Sequence, residues 1–162
     1  KMSYKKYIPF DDSLKENTIV QGKVKSIQPY GAFIELENGV VGLLHIEDMS
    51  VARIKSPFDR FYIGQKVNVK VKSIDTKNNR IMFTYKELLG TWEENARQFK
   101  EGTKVKGIIR NEEDHKNGIF IELKPNLVGM AEYQEGIEYG KQVDVFIKKI
   151  IPEKKKIKLI IC

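Results

Sequence analysis

Hydrophobic and polar positions alternate with a period of two through much of the chain. Val67, Val69 and Val71 are separated by Asn68, Lys70 and Lys72, the pattern of a strand buried on one face. Val143, Val145 and Ile147 repeat it against Asp144, Phe146 and Lys148. Ile34 and Leu36 fall on one side of their segment while Phe33 and Glu35 fall on the other. Asn38-Gly39 follows directly and predicts a tight hairpin turn with positive φ angles. Asp75 to Asn79 is a polar turn leading into Ile81 and Phe83. Five short strands are thus predicted near residues 18–28, 31–37, 40–45, 65–75 and 79–85. Residues 46–63, which include Ser56-Pro57 and several charges, read as an irregular or short helical connection.

The pattern then recurs. Val20-Gln21-Gly22-Lys23-Val24 returns as Val105-Lys106-Gly107-Ile108-Ile109, and Gly31-Ala32-Phe33-Ile34-Glu35-Leu36 returns as Gly118-Ile119-Phe120-Ile121-Glu122-Leu123. Gly64-Gln65-Lys66-Val67 matches Gly140-Lys141-Gln142-Val143, and Arg80-Ile81 matches Lys156-Ile157. The offset shrinks from 85–87 residues to 76, so the second unit lacks about ten residues between its third and fourth strands. A chain of this length is therefore two small domains. Five strands in so short a segment cannot hide an apolar stripe as an open sheet; closing into a barrel removes the edges and buries the stripe. The expected fold is all-β, two tandem five-stranded OB-type barrels. The expected boundaries are an N-terminal arm at 1–17, a first barrel at 18–86, a helical linker at 87–101 and a second barrel at 102–162.

The linker's signal is local. Lys86 to Gln98 favours a helix interrupted by Gly90, with Thr91 as cap and Glu94 three residues later as in a capping box. Trp92, Ala96 and Phe99 then share one apolar face. That company points to Trp92 packing the helix onto a barrel rather than offering a platform for a base.

Composition narrows the function. With 41% hydrophobic and 31% charged residues the chain has material for a core, and no run reaches the length of a membrane span or a signal peptide. It opens on Lys1 instead of a start methionine, as a processed or excised end would. One cysteine, Cys162, excludes an intramolecular disulfide, and with two histidines a closed zinc site is not expected. That usage fits a reduced, cytoplasmic protein. The formal net charge of +7 is divided as +1, +5, −2 and +3 over the four segments. A positive excess of this kind suits a polyanion, because each neutralised phosphate releases counterions.

The first unit carries the chemistry. Phe33 faces away from the core side, and Lys23 and Lys25 face away from Val24 on the neighbouring strand. An outward aromatic beside cations makes a platform for bases with the lysines tracking phosphate; stacking contributes about 1–3 kcal/mol per base whichever base it is. Tyr30 extends that platform, and Gly31 allows a close backbone approach.

Gly22-Lys23-Val24, Tyr30-Gly31-Ala32-Phe33-Ile34, Gly42-Leu43-Leu44-His45-Ile46, the Val67 to Val71 strand and Arg80-Ile81 together resemble the S1 RNA-binding domain family over residues 18–86. The resemblance implies a five-stranded OB barrel that binds single-stranded RNA on one face in bacterial translation or RNA metabolism. It implies binding roles for Tyr30, Phe33, His45, Asp75 and Arg80. His45 would stack or hydrogen-bond beside Phe33, Arg80 would stack or pair with phosphate, and Asp75 would accept from a base amino group or a ribose hydroxyl or, as the favoured role, orient Arg80. Glu47 stands where the family usually has serine and brings a negative charge near the face. Trp92 to Gly102 resembles the linkers between copies in the ribosomal member of the family.

The second unit departs from the pattern. Phe120 and Lys156 match Phe33 and Arg80, but Asn117, Glu132 and Ile151 replace Tyr30, His45 and Asp75. Glu112-Glu113-Asp114 adds acid beside the platform, so a weaker RNA site at Phe120 and Lys156 is expected. Phe146 is an outward residue that packs against a neighbour or a partner, and Lys154 to Lys156 with Lys158 read as a solvated hairpin tip, with phosphate contact as the alternative. No phosphate-cradling glycine loop, nucleophile elbow or histidine pair at metal spacing is present, so no catalytic residue, cofactor or metal is expected. The competing reading is a protein-interaction module in a ribosome-associated or RNA-processing complex.

Overall fold

A computed structural model describes residues 14–110 and 118–162. The first thirteen residues of the arm, and Glu112, Glu113, Asp114 and Asn117, lie outside the described residues. The chain forms two compact units. One runs up to Met49 and takes Ile54–Leu88; the other takes Ser50–Arg53 and Leu89–Cys162.

The first unit holds β1 (Ile19–Gln28), β2 (Gly31–Leu36), β3 (Val41–His45), β4 (Lys66–Asp75) and β5 (Arg80–Thr84). They close in the order β1-β2-β3-β5-β4, with only the β3–β5 pair parallel. The second unit holds β6 (Lys104–Ile109), β7 (Ile119–Lys124), β8 (Leu127–Ala131), β9 (Gln142–Ile151) and β10 (Lys156–Ile161). Its barrel closes equivalently, with β8 and β10 as the parallel pair. Each barrel is filled by the alternate residues that the period of two selects. Ile34, Leu44, Val69, Val71 and Phe83 are buried in the first, and Ile121, Leu127, Val145, Ile147 and Leu159 in the second. Outward residues stay half-buried or exposed because successive side chains point to opposite faces.

The connections follow their sequence signals, with one difference. Two short 3-10 turns, Ile46–Asp48 and Pro57–Asp59, interrupt the longer β3–β4 connection. The β2–β3 hairpin uses a positive φ only at Gly39 (88°), not at both residues of the Asn-Gly pair. Asn38 instead accepts the Val40 N–H on its side-chain oxygen at 3.1 Å, which holds the turn without a left-handed asparagine.

Helix α1 (Trp92–Ala96) is short, and a 3-10 turn at Lys86–Leu89 precedes it. Thr91 and Glu94 form the reciprocal capping box: Glu94 N–H donates to Thr91 Oγ1 at 3.1 Å, and Thr91 N–H to Glu94 Oε1 at 2.8 Å. The bond from the Thr91 N–H, followed by the Thr91 side chain, holds the Glu94 carboxyl below its ordinary value. Ala96 is buried in the second core, and Trp92 and Phe99 pack half-buried against it. The tryptophan is therefore a packing residue of the second unit.

Candidate nucleic-acid interface

The outer face of the first barrel is built by register. Phe33 lies opposite Ser26 on β1 and Leu43 on β3, and Leu43 lies opposite Met82 on β5. Phe33, Leu43 and Met82 are all half-buried and outward, with their chain neighbours Ile34, Leu44 and Phe83 buried. An apolar row thus crosses three strands. The outward Leu43 and Met82 were not singled out by sequence reasoning. The signal was available in the alternation, since Leu44 and Leu43 cannot both face the core.

Two further groups join Phe33 at one end of this row. Tyr30, 47% exposed, meets the Phe33 ring edge-on with centroids 6.2 Å apart and planes at 88°. His45 closes β3 directly opposite Gly31. Its Nδ1 accepts the Glu47 N–H at 3.1 Å, so a neutral ring carries its proton on Nε2 and keeps a donor for a ligand. Glu47 Oε1 is 3.8 Å from the same Nδ1. Gly31 has a different role from the one expected. A Cβ there would sit 2.5 Å from the Leu44 carbonyl oxygen, so the glycine admits strand β3 rather than a ligand.

Asp75 and Arg80 are paired across β4 and β5 but stand apart from His45. Arg80 precedes Met82 by two residues and His45 follows Leu43 by two, so in this parallel pair they are four steps apart, about 13 Å along the strands. The site is a band rather than a cluster. Its cationic end is exposed at Arg80, which among the described residues has no ion-pair partner. The expectation that Asp75 chiefly orients Arg80 meets a competitor. Its carboxylate accepts the Asn78 Nδ2–H at 2.8 Å and the Asn78 N–H at 3.1 Å, and this holds the carboxyl below its ordinary value, with Arg80 a smaller cause. The acid latches the β4–β5 turn from which Arg80 emerges.

The lysines are unequal. Lys23 is exposed on β1, opposite Glu35 on one side and Lys66 on the other. Lys25 is the extra residue of a bulge between Val24 and Ser26, and its ammonium lies 4.0 Å from Glu35. Lys70 and Lys72, outward on β4, are held by acids: Glu87 at 3.0 Å and Asp48 at 2.9 Å. The hydrogen bond to the buried Asp48 raises the Lys72 ammonium above its ordinary value.

In the second barrel Phe120 is half-buried on β7 opposite Met130, and Met130 is opposite Lys158. Lys156 opens β10, exposed, and Glu132 is exposed just beyond β8. Phe146 is half-buried on β9 between Ile160 and Lys104. Arg110 and Glu122, each side chain only 6% exposed, form a buried ion pair at 2.9 Å beneath the Tyr139 ring. Among the described residues no group of three histidine, cysteine or acidic side chains could hold a metal.

A family model described as the S1 RNA binding domain matches residues 13–86. The small ribosomal subunit protein bS1 of Rhizobium meliloti is 33% identical to the chain, over 91% of the chain and 28% of that protein. The bS1 protein of Staphylococcus saprophyticus is 32% identical, over 91% of the chain and 40% of that protein. The chain therefore spans well under half the length of these curated relatives. Among solved structures, the a/eIF2alpha–aDim2p–rRNA complex of Pyrococcus horikoshii matches 52% of the chain and 51% of its own chain, at 28% identity and a TM-score of 0.45.

Proposed function

With residues 13–86 belonging to the S1 RNA-binding domain family, we propose that the first barrel binds single-stranded RNA, without catalysis, as part of translation or RNA metabolism in the cytoplasm. The observation that carries this reading is the outward set of exposed Tyr30 and half-buried Phe33 and His45 at one end of an apolar row, with exposed Arg80 at the other. Bases stack on Phe33 and Tyr30, the His45 Nε2–H donates to a base or ribose oxygen, and Arg80, Lys23 and Lys25 meet phosphates. Asp75 keeps the turn that presents Arg80. The second barrel offers a weaker site around Phe120 and Lys156, tethered at high local concentration. Domain boundaries at residues 18–86 and 102–162, with 87–101 between them, fit that division of labour.

A flat face of this kind reaches unpaired bases and not the stacked interior of a duplex. In a competition assay a ten- to twelve-nucleotide single strand should therefore displace labelled RNA at lower concentration than a hairpin stem of equal charge. Equal competition would mean that the cations act alone and that the aromatic face takes no part.

A further inference from the structure

The second barrel concentrates charge where the first holds an apolar row. Between Lys148 and Lys158 the chain carries six lysines against one acid, Glu153. The matching stretch of the first barrel, residues 72–82, has three cations and one acid, and its Lys72 is neutralised by Asp48. All six lysines of the β9–β10 hairpin are exposed, and none has an ion-pair partner among the described residues. Glu101, whose carboxylate reaches this hairpin, accepts the Ile150 N–H at 2.7 Å.

The arrangement works against folding. Lys149 and Lys158 lie directly opposite one another in the antiparallel ladder, a like-charged pair that disfavours the strand pairing. Lys148 is the extra residue of the bulge opposite Lys158 and Leu159. At the tip Pro152 fixes the chain and Lys155 takes a left-handed conformation at φ 51°, in a turn with no side-chain cap. Lys158 is in turn the neighbour of Met130, and Met130 of Phe120. Lys158, with Lys149 opposite it, thus continues the outward row that starts at Phe120 on β7, while Lys154 to Lys156 flank it at the hairpin tip.

We infer that the β9–β10 hairpin of the second barrel is a phosphate-binding surface for the backbone of single-stranded RNA, acting through charge and not through stacking. The inference rests on the reading of the chain as an RNA binder. A nucleic-acid backbone is favoured over an acidic protein because the cations continue directly into the Phe120–Met130 row, and because another unit of the same chain is an RNA-binding domain. It also gives the second barrel a contribution that survives the loss of the aromatic, histidine and aspartate positions.

The test uses the whole 162-residue chain carrying K149Q, K154Q, K155Q and K158Q together. These exposed positions leave the core untouched, which circular dichroism verifies. Fluorescence anisotropy on a labelled fifteen-nucleotide single strand is followed from 0.05 to 1 M salt. Each lost phosphate contact flattens the slope of log affinity against log salt by about 0.7, so three or four lost contacts flatten it by about 2–3. Affinity at 0.1 M salt then falls about a hundredfold and converges with that of the unaltered chain near 1 M. An unchanged slope and affinity would overturn the inference and leave the hairpin to an acidic protein or to solvent. F33A, measured alongside, separates the two readings. If F33A weakens binding and the lysine variant does not, the hairpin surface fails alone. If the lysine variant flattens the slope and F33A is silent, the aromatic face fails alone.

Discussion

Replacing Phe33 by alanine removes the central ring of the proposed face and little else. Phe33 is outward and half-buried, so the core formed by Ile34, Leu44 and Phe83 keeps its contacts. What is lost is one stacking surface and the ring against which Tyr30 stands edge-on at 6.2 Å. One base unstacked costs about 1–3 kcal/mol, and each 1.4 kcal/mol is a factor of ten, so affinity falls about five- to a hundredfold. The upper part of that range applies if Tyr30 loses its orientation together with Phe33. F120A makes the internal comparison. Its strand lies beside Met130, and the exposed Glu132 stands at the position of His45, so a base there has fewer groups to hold it. Its loss should be several times smaller.

Both variants are read by fluorescence anisotropy on a ten- to twelve-nucleotide RNA, after thermal unfolding has shown that each still folds. The salt slope should be the same for F33A and the unaltered chain, because no cation is removed. If F120A is the more damaging of the two, the principal RNA site has been assigned to the wrong barrel. If F33A alters the slope and not the intercept, the ring acts by placing the lysines and the stacking argument fails.

Two further outcomes concern the framework. Removing Arg110 breaks its 2.9 Å ion pair with the buried Glu122, so R110L should destabilise the second unit by up to about 3–5 kcal/mol, whereas R110L/E122L should recover part of that loss. The single tryptophan, Trp92, packs on the second core, so its fluorescence in a denaturant titration reports this unit, and equal stability of R110L would refute the account. Asp75 titrates below its ordinary value of 3.8 because Asn78 donates to its ionised form. The folded carboxyl being the lower, its contribution to the β4–β5 turn is complete above that value and is lost as pH falls through the folded one. In a carbon-detected NMR titration N78A should bring Asp75 up toward 3.8, and no change would remove Asn78 as the cause.

What the sequence determined by itself was everything carried by local period and local chemistry. Alternation in Val67 to Val71 and in Ile34 to Leu36 selected inside from outside, and Thr91 with Glu94 specified a capped helix start that forms as read. The internal repeat divided the chain, and the polar turns placed the strand ends within a residue or two. Only the tertiary structure decided what lies beside what. The parallel pairing of β3 with β5 makes Met82 the neighbour of Leu43 and sets Arg80 four steps from His45, because register between strands far apart in sequence is fixed by closing the barrel and not by any turn. The same closure brings Asp48 to Lys72 and Glu87 to Lys70, which removes two lysines from the free cations that charge counting supplied. In the second barrel the bulged β9–β10 hairpin leaves Lys149 facing Lys158. A period of two says that these side chains point outward; which charges then meet depends on distances that the linear pattern does not contain.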